Sequence, residues 1–335
     1  MTAWGLAISL PAIQSLLEIP YHGFDPVLVD FPGPLDLRWY GLMYVVGFVA
    51  GAWILERLNK RGFLGLPPEG PQDLMLWLIG GVVLGGRLGF ILFYKPETFR
   101  DPMSIFAVWE GGMSFHGGLL GVIFATLLFC KRRGVAPLRI MDGLALAVTP
   151  GIFAVRVANF INGELYGRIT DSSVPWAMRF PTDPVAWTGL RLDGLATRAR
   201  ELRILQAFEN GDWDKIAHAV PLRHPSQAYE ALCEGLLLGL ILFVVWRRTR
   251  NAPLGFGRYA GTFVVGYGVL RWILEFFRQP DSQFAEKPGD LGTVLGFMSM
   301  GQVLCTLMIL GGLWLLFRKT RHGDPRVENP SGTTS

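Results

Sequence analysis

Charge is scarce in this sequence. Only 17% of its 335 residues are Asp, Glu, Lys or Arg, and half are hydrophobic. A soluble domain carries about 25% charged residues, so the mean hydropathy of +0.34 points to a membrane body. Cysteine is scarce too: Cys130, Cys233 and Cys305 lie in or beside apolar runs and none has a CxxC partner. That excludes a disulfide framework or a zinc ribbon and leaves small buried hydrophobes. The five histidines show no metal-ligand spacing, so no metal is expected. Apolar content is too high for disorder. The 42 Gly and 22 Pro have no collagen period. The net charge of +4 lacks the basic patch with interleaved aromatics that would make nucleic acid a partner. No Lys or Arg precedes Arg38. The apolar start therefore lacks the basic region of a cleavable signal peptide and reads as an interfacial segment broken by Pro11 and Pro20.

What the chain does have is long apolar runs. A spanning helix needs about 20 such residues. Seven are expected, over 40–56, 73–93, 115–130, 138–162, 226–246, 258–277 and 291–317. The first and third are short. Arg57, Lys60, Arg61, Lys131, Arg132, Arg133, Arg247, Arg248, Arg250, Arg258, Arg318, Lys319, Arg321 and Arg326 fall on one side of this arrangement. Only Arg38, Lys95, Arg100, Arg278 and Lys287 occupy short segments on the other. Cations mark the cytoplasmic face, so the N-terminus is expected outside and the C-terminus inside. The fold class is an all-α membrane protein, one domain over 1–322. The polar stretch 165–223 is expected to form a small head subdomain on the outer side, with a helix over 197–209. The tail 323–335 is expected to be disordered.

Polar and ionisable groups inside a bilayer are expensive and mark function by default. Here they are Arg87, Arg156, Asn159, Glu164, Arg271 and Glu275, with His116 at an outer boundary. Tyr267, Arg271 and Glu275 are spaced i, i+4, i+8 and share one helix face. They form either an internal packing pair or a guanidinium facing a cavity. Arg156 and Asn159 are i, i+3 on the fourth span. Two arginines from different helices make a plausible phosphate clamp, because the planar fork binds phosphate oxygens bidentately. Interhelical polar glue is the plainer alternative. His116 lies in GGMSFHGG among Gly111, Gly112, Gly117 and Gly118, and is either structural or a general base. Arg87, in GGVVLGGRLGF, sits among glycines that suggest tight helix packing; it divides evenly between structural and substrate-facing roles. His224 opens HPSQAYE, where Ser226 reads as a helix N-cap and Glu230 falls in the first turns. A serine hydrolase lacks GxSxG here.

These segments resemble one family. LRWYGLMYVVGF (37–48), GGRLGF (85–90), VWEGGMSFHGG (108–118), NFINGELYGR (159–168), RHPSQAYE (223–230), GYGVLRWILEFFRQPD (266–281) and MSMGQ (298–302) occur in the order found in prolipoprotein diacylglyceryl transferases. They cover nearly the whole chain.

The resemblance implies a bacterial inner-membrane enzyme whose active site faces the periplasm. It moves the sn-1,2-diacylglyceryl group of phosphatidylglycerol to the lipobox cysteine of a prolipoprotein signal peptide, forming a thioether. Glycerol phosphate leaves, and by the resemblance no metal or diffusible cofactor is needed. It makes His116, Arg156 and Arg271 the catalytic candidates. Tyr40, Asn159, Glu164, Gly167, Tyr267 and Glu275 become phosphatidylglycerol-binding candidates beside the two arginines. Arg87, His224 and Arg278 are secondary. Glu164 and Glu275 are expected to orient the arginines, and Tyr40 and Tyr267 to bind headgroup or intermediate. One departure stands out: where the family often reads G-R-x-G-N, this chain has Val155-Arg156-Val157-Ala158-Asn159. The polar insert is also longer than the family leads one to expect. Without the resemblance, the residues define only a seven-helix protein with an anionic-ligand site. A transporter or channel for an anionic solute is then the rival, although no inverted repeat is visible.

Overall fold

The structure is a computed structural model that describes residues 19–31, 36–100, 102–106, 112–252, 254–280, 292–295 and 297–319. The expected interfacial segment up to residue 18 and the expected tail 323–335 lie outside the described residues. In chain order the elements are β1 (Val27–Val29), β2 (Leu37–Arg38), α1 (Trp39–Lys60), α2 (Gly70–Tyr94), α3 (Pro102–Phe106), α4 (Phe115–Arg133), α5 (Pro137–Ala147) and α6 (Thr149–Asn162). There follow α7 (Pro184–Leu190), α8 (Thr197–Glu209) and α9 (Asp212–Ile216). The last are α10 (Ser226–Thr249), α11 (Arg258–Leu274), β3 (Thr293–Leu295), β4 (Met298–Ser299) and α12 (Met300–Phe317). The strands form two antiparallel hairpins, β1 with β2 and β3 with β4.

The chain is mostly helical, as expected of an all-α membrane protein. Helices α1, α2, α4, α10 and α12 are each long and apolar enough to cross a membrane. The expected span 138–162 is two helices, α5 and α6, bent by 45° at Val148; counted together they make a sixth crossing. The bend has a local cause, since Pro150 has no N–H to give to the preceding turn and its ring crowds that turn. The expected 258–277 is helical only over the 17 residues of α11. The helix expected over 197–209 occupies those residues as α8.

The chain forms two compact units. One comprises Met1–Tyr44, Phe153–Glu234 and Val269–Leu307; the other comprises Val45–Ile152, Gly235–Gly268 and Met308–Ser335. In the second unit, Leu55, Leu64, Leu74, Phe129, Ile140 and Tyr259 make a buried core. Asp142 is fully buried there. Its carboxylate accepts from the Gly257 N–H at 2.8 Å and the Ala260 N–H at 2.9 Å, capping the start of α11.

The closest packing in this unit is a glycine seam. Gly81, Gly85 and Gly89 of α2 meet Gly117 and Gly121 of α4. A Cβ on Gly81 would lie 2.7 Å from the Gly121 carbonyl oxygen, and one on Gly85 2.7 Å from the Gly121 Cα. Lipid supplies no hydrophobic drive between helices, so small residues at four-residue spacing let the backbones gain dispersion contact instead. At the other end of the pair, Arg133 is ion-paired with Asp73.

In the first unit, the 165–223 insert has its own core of Ala186, Leu190, Leu192, Ala207, Trp213 and Val220. Asp183 caps α7, its Oδ1 accepting from the Val185 N–H at 2.9 Å. The β1–β2 hairpin is clasped to α8 by charge. Arg198 pairs with Asp25 at 2.7 Å and Asp30 at 3.4 Å, and Arg38 pairs with Glu201 at 2.8 Å. Burial alone would push the Asp25 carboxyl up; the Arg198 and Val27 hydrogen bonds, with the charges of Arg198 and Arg38, outweigh it and hold the carboxyl below its usual value.

Two outcomes follow from this packing. Gly85→Ala and Gly121→Ala should each lower the thermal midpoint by the equivalent of about 1–3 kcal/mol. Gly80→Ala, whose Cβ would meet nothing within 4 Å, should not. For the clasp, a depressed folded pKa means stabilisation that is present above the unfolded value and lost as pH falls through the folded one. Hydrogen exchange in β1 and β2 should therefore stay slow at pH 5 and speed up only below about pH 4. Arg198→Ala should weaken that pH dependence.

Candidate functional site: a buried arginine–glutamate cluster

The first unit gathers three arginines around two glutamates. Arg156 comes from α6, Arg271 from α11, and Arg278 from the turn that follows it. Glu230 and Glu234 come from α10 and are fully buried. The α10 backbone is α-helical over Ser226–Glu230 and wound as a π-helix over Ala231–Leu237. Wide turns of this kind frequently occur at functional sites. Here it follows directly on Glu230 and carries Glu234.

Glu230 is the hub. Its Oε2 lies 2.9 Å from Arg156 Nε; its Oε1 lies 3.2 Å from Arg271 Nη1 and accepts from Arg278 Nη1 at 2.6 Å. Glu234 spans the first two arginines, with Arg156 Nη2 and Arg271 Nη1 both at 3.7 Å. Glu275 adds a third carboxylate, 3.5 Å from Arg271 Nη2 and 3.6 Å from Arg278 Nε. Three cations thus meet three anions. The two α10 carboxylates have no exposed side-chain surface, whereas Arg156 and Arg271 keep 17% and Arg278 keeps 14%. The buried carboxylates hold the guanidinium groups, while each arginine side chain keeps part of its surface.

A chain of amides and backbone continues the site. Arg156 Nη1 donates to Asn159 Oδ1 at 3.4 Å, and Asn159 Nδ2 donates to Glu164 Oε1 at 2.8 Å. Asn162 also donates to Glu164, at 3.3 Å. Glu164 therefore reaches Arg156 through Asn159. Gln227 Nε2 donates to the Glu164 carbonyl at 2.7 Å. Ser226 is not an N-cap, contrary to the sequence reading; its hydroxyl donates to the Leu165 carbonyl at 2.9 Å. The helix end is thereby tied to the chain that leaves α6. Ser299, the last residue of β4, donates to Glu275 Oε1 at 3.1 Å and so holds the third carboxylate.

Gly167 lies where three segments cross. Its N–H donates to the His224 carbonyl, and the following Arg168 N–H to the Phe277 carbonyl, both at 2.8 Å. A Cβ on Gly167 would come within 2.9 Å of His224 Cβ, so only glycine fits. Arg223 braces this crossing, paired with Asp183 at 2.5 Å, donating to Gln279 Oε1 at 2.6 Å and stacked over Tyr166 at 4.8 Å. Burial pushes the Tyr166 phenol up to about 12, so it stays a neutral face for the guanidinium. His224 Nδ1 lies 3.1 Å from the Tyr229 hydroxyl, and burial pushes its pKa down.

Of the remaining candidates, Tyr40 lies within electrostatic reach of Glu164 and Arg156. Tyr40, at the start of α1, has its hydroxyl 3.4 Å from that of Tyr44. Tyr267 belongs to the second unit, its ring stacked on Phe263 at 5.8 Å. His116 is also in the second unit, exposed in the first turn of α4, where Ser114 accepts from the Gly117 N–H at 3.2 Å. Arg87 is buried, and its guanidinium donates to the backbone carbonyls of Ser104, of Ile105 at 3.0 Å and of Gly112 at 3.3 Å. Of its two readings, these contacts favour the structural one. Ala158, one of the residues that replace family glycines, is fully buried beside Asn159.

The sequence reading missed the weight of Glu230 and omitted Glu234, Arg223 and Asp183. The signal for Glu234 was present. ALCEGLLLGL places a carboxylate in an expected span, where it is expensive unless paired.

These features define a multi-pass helical membrane protein with a charge-balanced, partly accessible arginine cluster fit for an anionic group. A family model described as prolipoprotein diacylglyceryl transferase matches residues 26–318. Phosphatidylglycerol–prolipoprotein diacylglyceryl transferases of Escherichia coli O1:K1, of Escherichia coli K12 and of Shigella boydii serotype 18 are each 40% identical to the chain over 306 residues. Those residues are 90% of this chain and 95% of each relative. The chain belongs to the prolipoprotein diacylglyceryl transferase family.

Removing one partner of a buried ion pair strands the others and costs about 3–5 kcal/mol. Glu230→Gln should therefore lower the thermal midpoint more than Glu275→Gln, whose side chain is 13% exposed. Tryptophan fluorescence during heating in detergent measures both.

Proposed function

We propose that this chain transfers the sn-1,2-diacylglyceryl group of phosphatidylglycerol to the thiol of the lipobox cysteine of a prolipoprotein, with the lipid phosphate held by the arginine cluster. Family membership supplies the reaction. The observation that carries the placement is that Arg156 and Arg271, from different helices, are held by fully buried carboxylates while their own side chains keep 17% of their surface.

The sulfur attacks the glyceryl carbon that bears the phosphate. The S–C bond forms as the C–O bond breaks, and glycerol phosphate leaves. The leaving group gains one negative charge in that step. Arg156 and Arg271 offset it, and need no reorganisation because Glu230, Glu234 and Glu275 already fix them. A thiol attacks well only as the thiolate. His116 is the candidate acceptor of its proton, in the step where charge passes to the leaving phosphate. Glu164 acts on Arg156 through Asn159, and Glu275 on Arg271 directly. Tyr40 and Tyr267 serve headgroup or intermediate. Arg278 supports Glu230, and His224 supports the crossing at Gly167. The reaction's proton and charge balance closes without a metal or diffusible cofactor.

In the bilayer, α5 with α6 counts as one span and α11 as another, which makes seven. The cation distribution puts the N-terminus outside and the C-terminus in the cytoplasm. The protein then sits in the bacterial inner membrane with the cluster toward the periplasmic side, where precursor signal peptides present their cysteine. The 165–223 insert and the membrane core belong to one transferase domain.

Purified protein incubated with phosphatidylglycerol and a lipobox peptide should add a diacylglyceryl mass to the peptide cysteine. Arg156→Ala and Arg271→Ala should each lower the rate by about 100-fold or more. Arg271→Lys should recover only part of it, because an ammonium cannot bind bidentately. His116→Gln should lower the rate with little change in lipid affinity. No adduct from folded wild-type protein would overturn the assignment and favour carriage of an anionic solute.

A further inference from the structure

Among the described residues, two that are not glycine hold a left-handed backbone, Leu165 and Arg191, both at φ 57°. Arg191 closes α7, an ordinary place for that conformation. Leu165 closes no helix, since Gly163, at φ 64°, already supplies the left-handed residue behind α6. For an L-residue this region is disfavoured by about 5- to 30-fold. Leu165 recovers little of that by burial, because it is 50% exposed. A strained residue persists only where its surroundings over-determine it.

The surroundings here are the first two residues of α10. Gln227 Nε2 donates to the Glu164 carbonyl at 2.7 Å, and the Ser226 hydroxyl donates to the Leu165 carbonyl at 2.9 Å. Those carbonyls belong to the peptide planes on either side of the Leu165 Cα, so the two bonds together fix both of its dihedrals. Gln227 is fully buried, and its Oε1 has no hydrogen-bond partner. An unpaired buried amide oxygen is costly, and a leucine would fill similar space without that cost. The position keeps an amide for its donor.

What the strained residue holds in place is Glu164. The Glu164 N–H donates to the Asn159 carbonyl at 3.0 Å, and its carboxylate accepts from Asn159 and Asn162. Asn159 in turn accepts from Arg156 Nη1. Relaxation of Leu165 to an ordinary φ would swing the Glu164–Leu165 peptide plane and draw the carboxylate off the two amides. On its other side, Arg156 Nε meets Glu230 Oε2 at 2.9 Å. Glu230 lies one turn along α10 from Ser226 and Gln227. The same turn of helix thus governs both contacts of Arg156.

We infer that Ser226 and Gln227 are positioning residues for the transfer reaction: by pinning Leu165 in a left-handed turn, they keep Glu164 and Asn159 in register with Glu230 around Arg156. What Arg156 does in the reaction rests on the transferase reading; what the clamp holds rests on geometry alone.

A double-substitution cycle tests this. Gln227→Leu keeps the volume and removes the donor, and Leu165→Asn supplies a residue that tolerates the left-handed region. In the otherwise unsubstituted protein, Gln227→Leu should lower kcat with the lipobox peptide by about tenfold or more, with the KM for phosphatidylglycerol changed by less than about threefold. In the Leu165→Asn background the same substitution should lower kcat by less than about threefold, because the turn no longer needs holding. Whatever Leu165→Asn does by itself cancels in the ratio. Hydrogen exchange over residues 163–167, read by mass spectrometry, should quicken on Gln227→Leu only where Leu165 is present. Equal losses of kcat in the two backgrounds, or exchange unmoved by Gln227→Leu, overturn the inference. If Gln227→Leu does not fold, Ser226→Ala is read the same way. Folded wild-type protein that makes no adduct overturns the transferase reading instead, and exchange then decides the clamp by itself.

Discussion

A carboxylate with no solvent must be compensated by its neighbours, and Glu230 is compensated by three arginines from three parts of the chain. Each comes from a different stretch: α6, α11 and the turn after α11. The charge of Glu230 is therefore the condition under which these segments can meet, because removing it would leave a knot of cations in a low-dielectric setting. Glu234 and Glu275 complete the neutralisation. The crossing at Gly167 supplies the backbone that brings Arg278 into range. The same arrangement that keeps the unit folded keeps the guanidinium groups oriented. Here stability and readiness for an anionic substrate come from the same interaction.

The arginines were legible in the sequence and the glutamates largely were not. Arg156 and Arg271 interrupt strongly apolar windows, and a cation there attracts notice. Glu230 follows a polar run, HPSQAY, and reads as an ordinary residue of a helix's first turns. Glu234 lies four residues on, and nothing local says that it points toward arginines more than 30 residues away. Long-range pairing is a property of the packed chain, so its partners are visible only as unexplained costs. Ser226 shows the same limit. Its type and position suit a cap, but the Leu165 carbonyl needed a donor and took it. Asp142 went unremarked for the same reason, since its partners belong to a helix more than a hundred residues later.

The helices were more legible than their boundaries. Apolar runs located the five helices long enough to cross a membrane and the bent pair α5 and α6, and the helix over Thr197–Glu209 was readable from its pattern. The break at Val148 was less so, because Pro150 is tolerated near a helix start and only the bend shows that a second helix begins there. The glycines around Arg87 suggested close packing, and the seam between α2 and α4 is the form it takes. What the pattern could not give is the offset between those helices, with Gly89 of α2 lying against Gly117 in the first turn of α4.

The π-helical winding of α10 bears on how this protein can vary. A π turn is an α-helix that has accepted one surplus residue, and the residues beyond it are rotated by about 100° relative to an uninterrupted helix. Loss of a single residue within Ala231–Leu237 would restore regular winding and turn everything after it to a different face. Substitution along this stretch is a local matter, whereas a change of length there re-aims the rest of the helix. The spacing between Glu230 and the apolar half of α10 is thus a fixed measure, and insertions or deletions are far better accommodated in the polar insert than here.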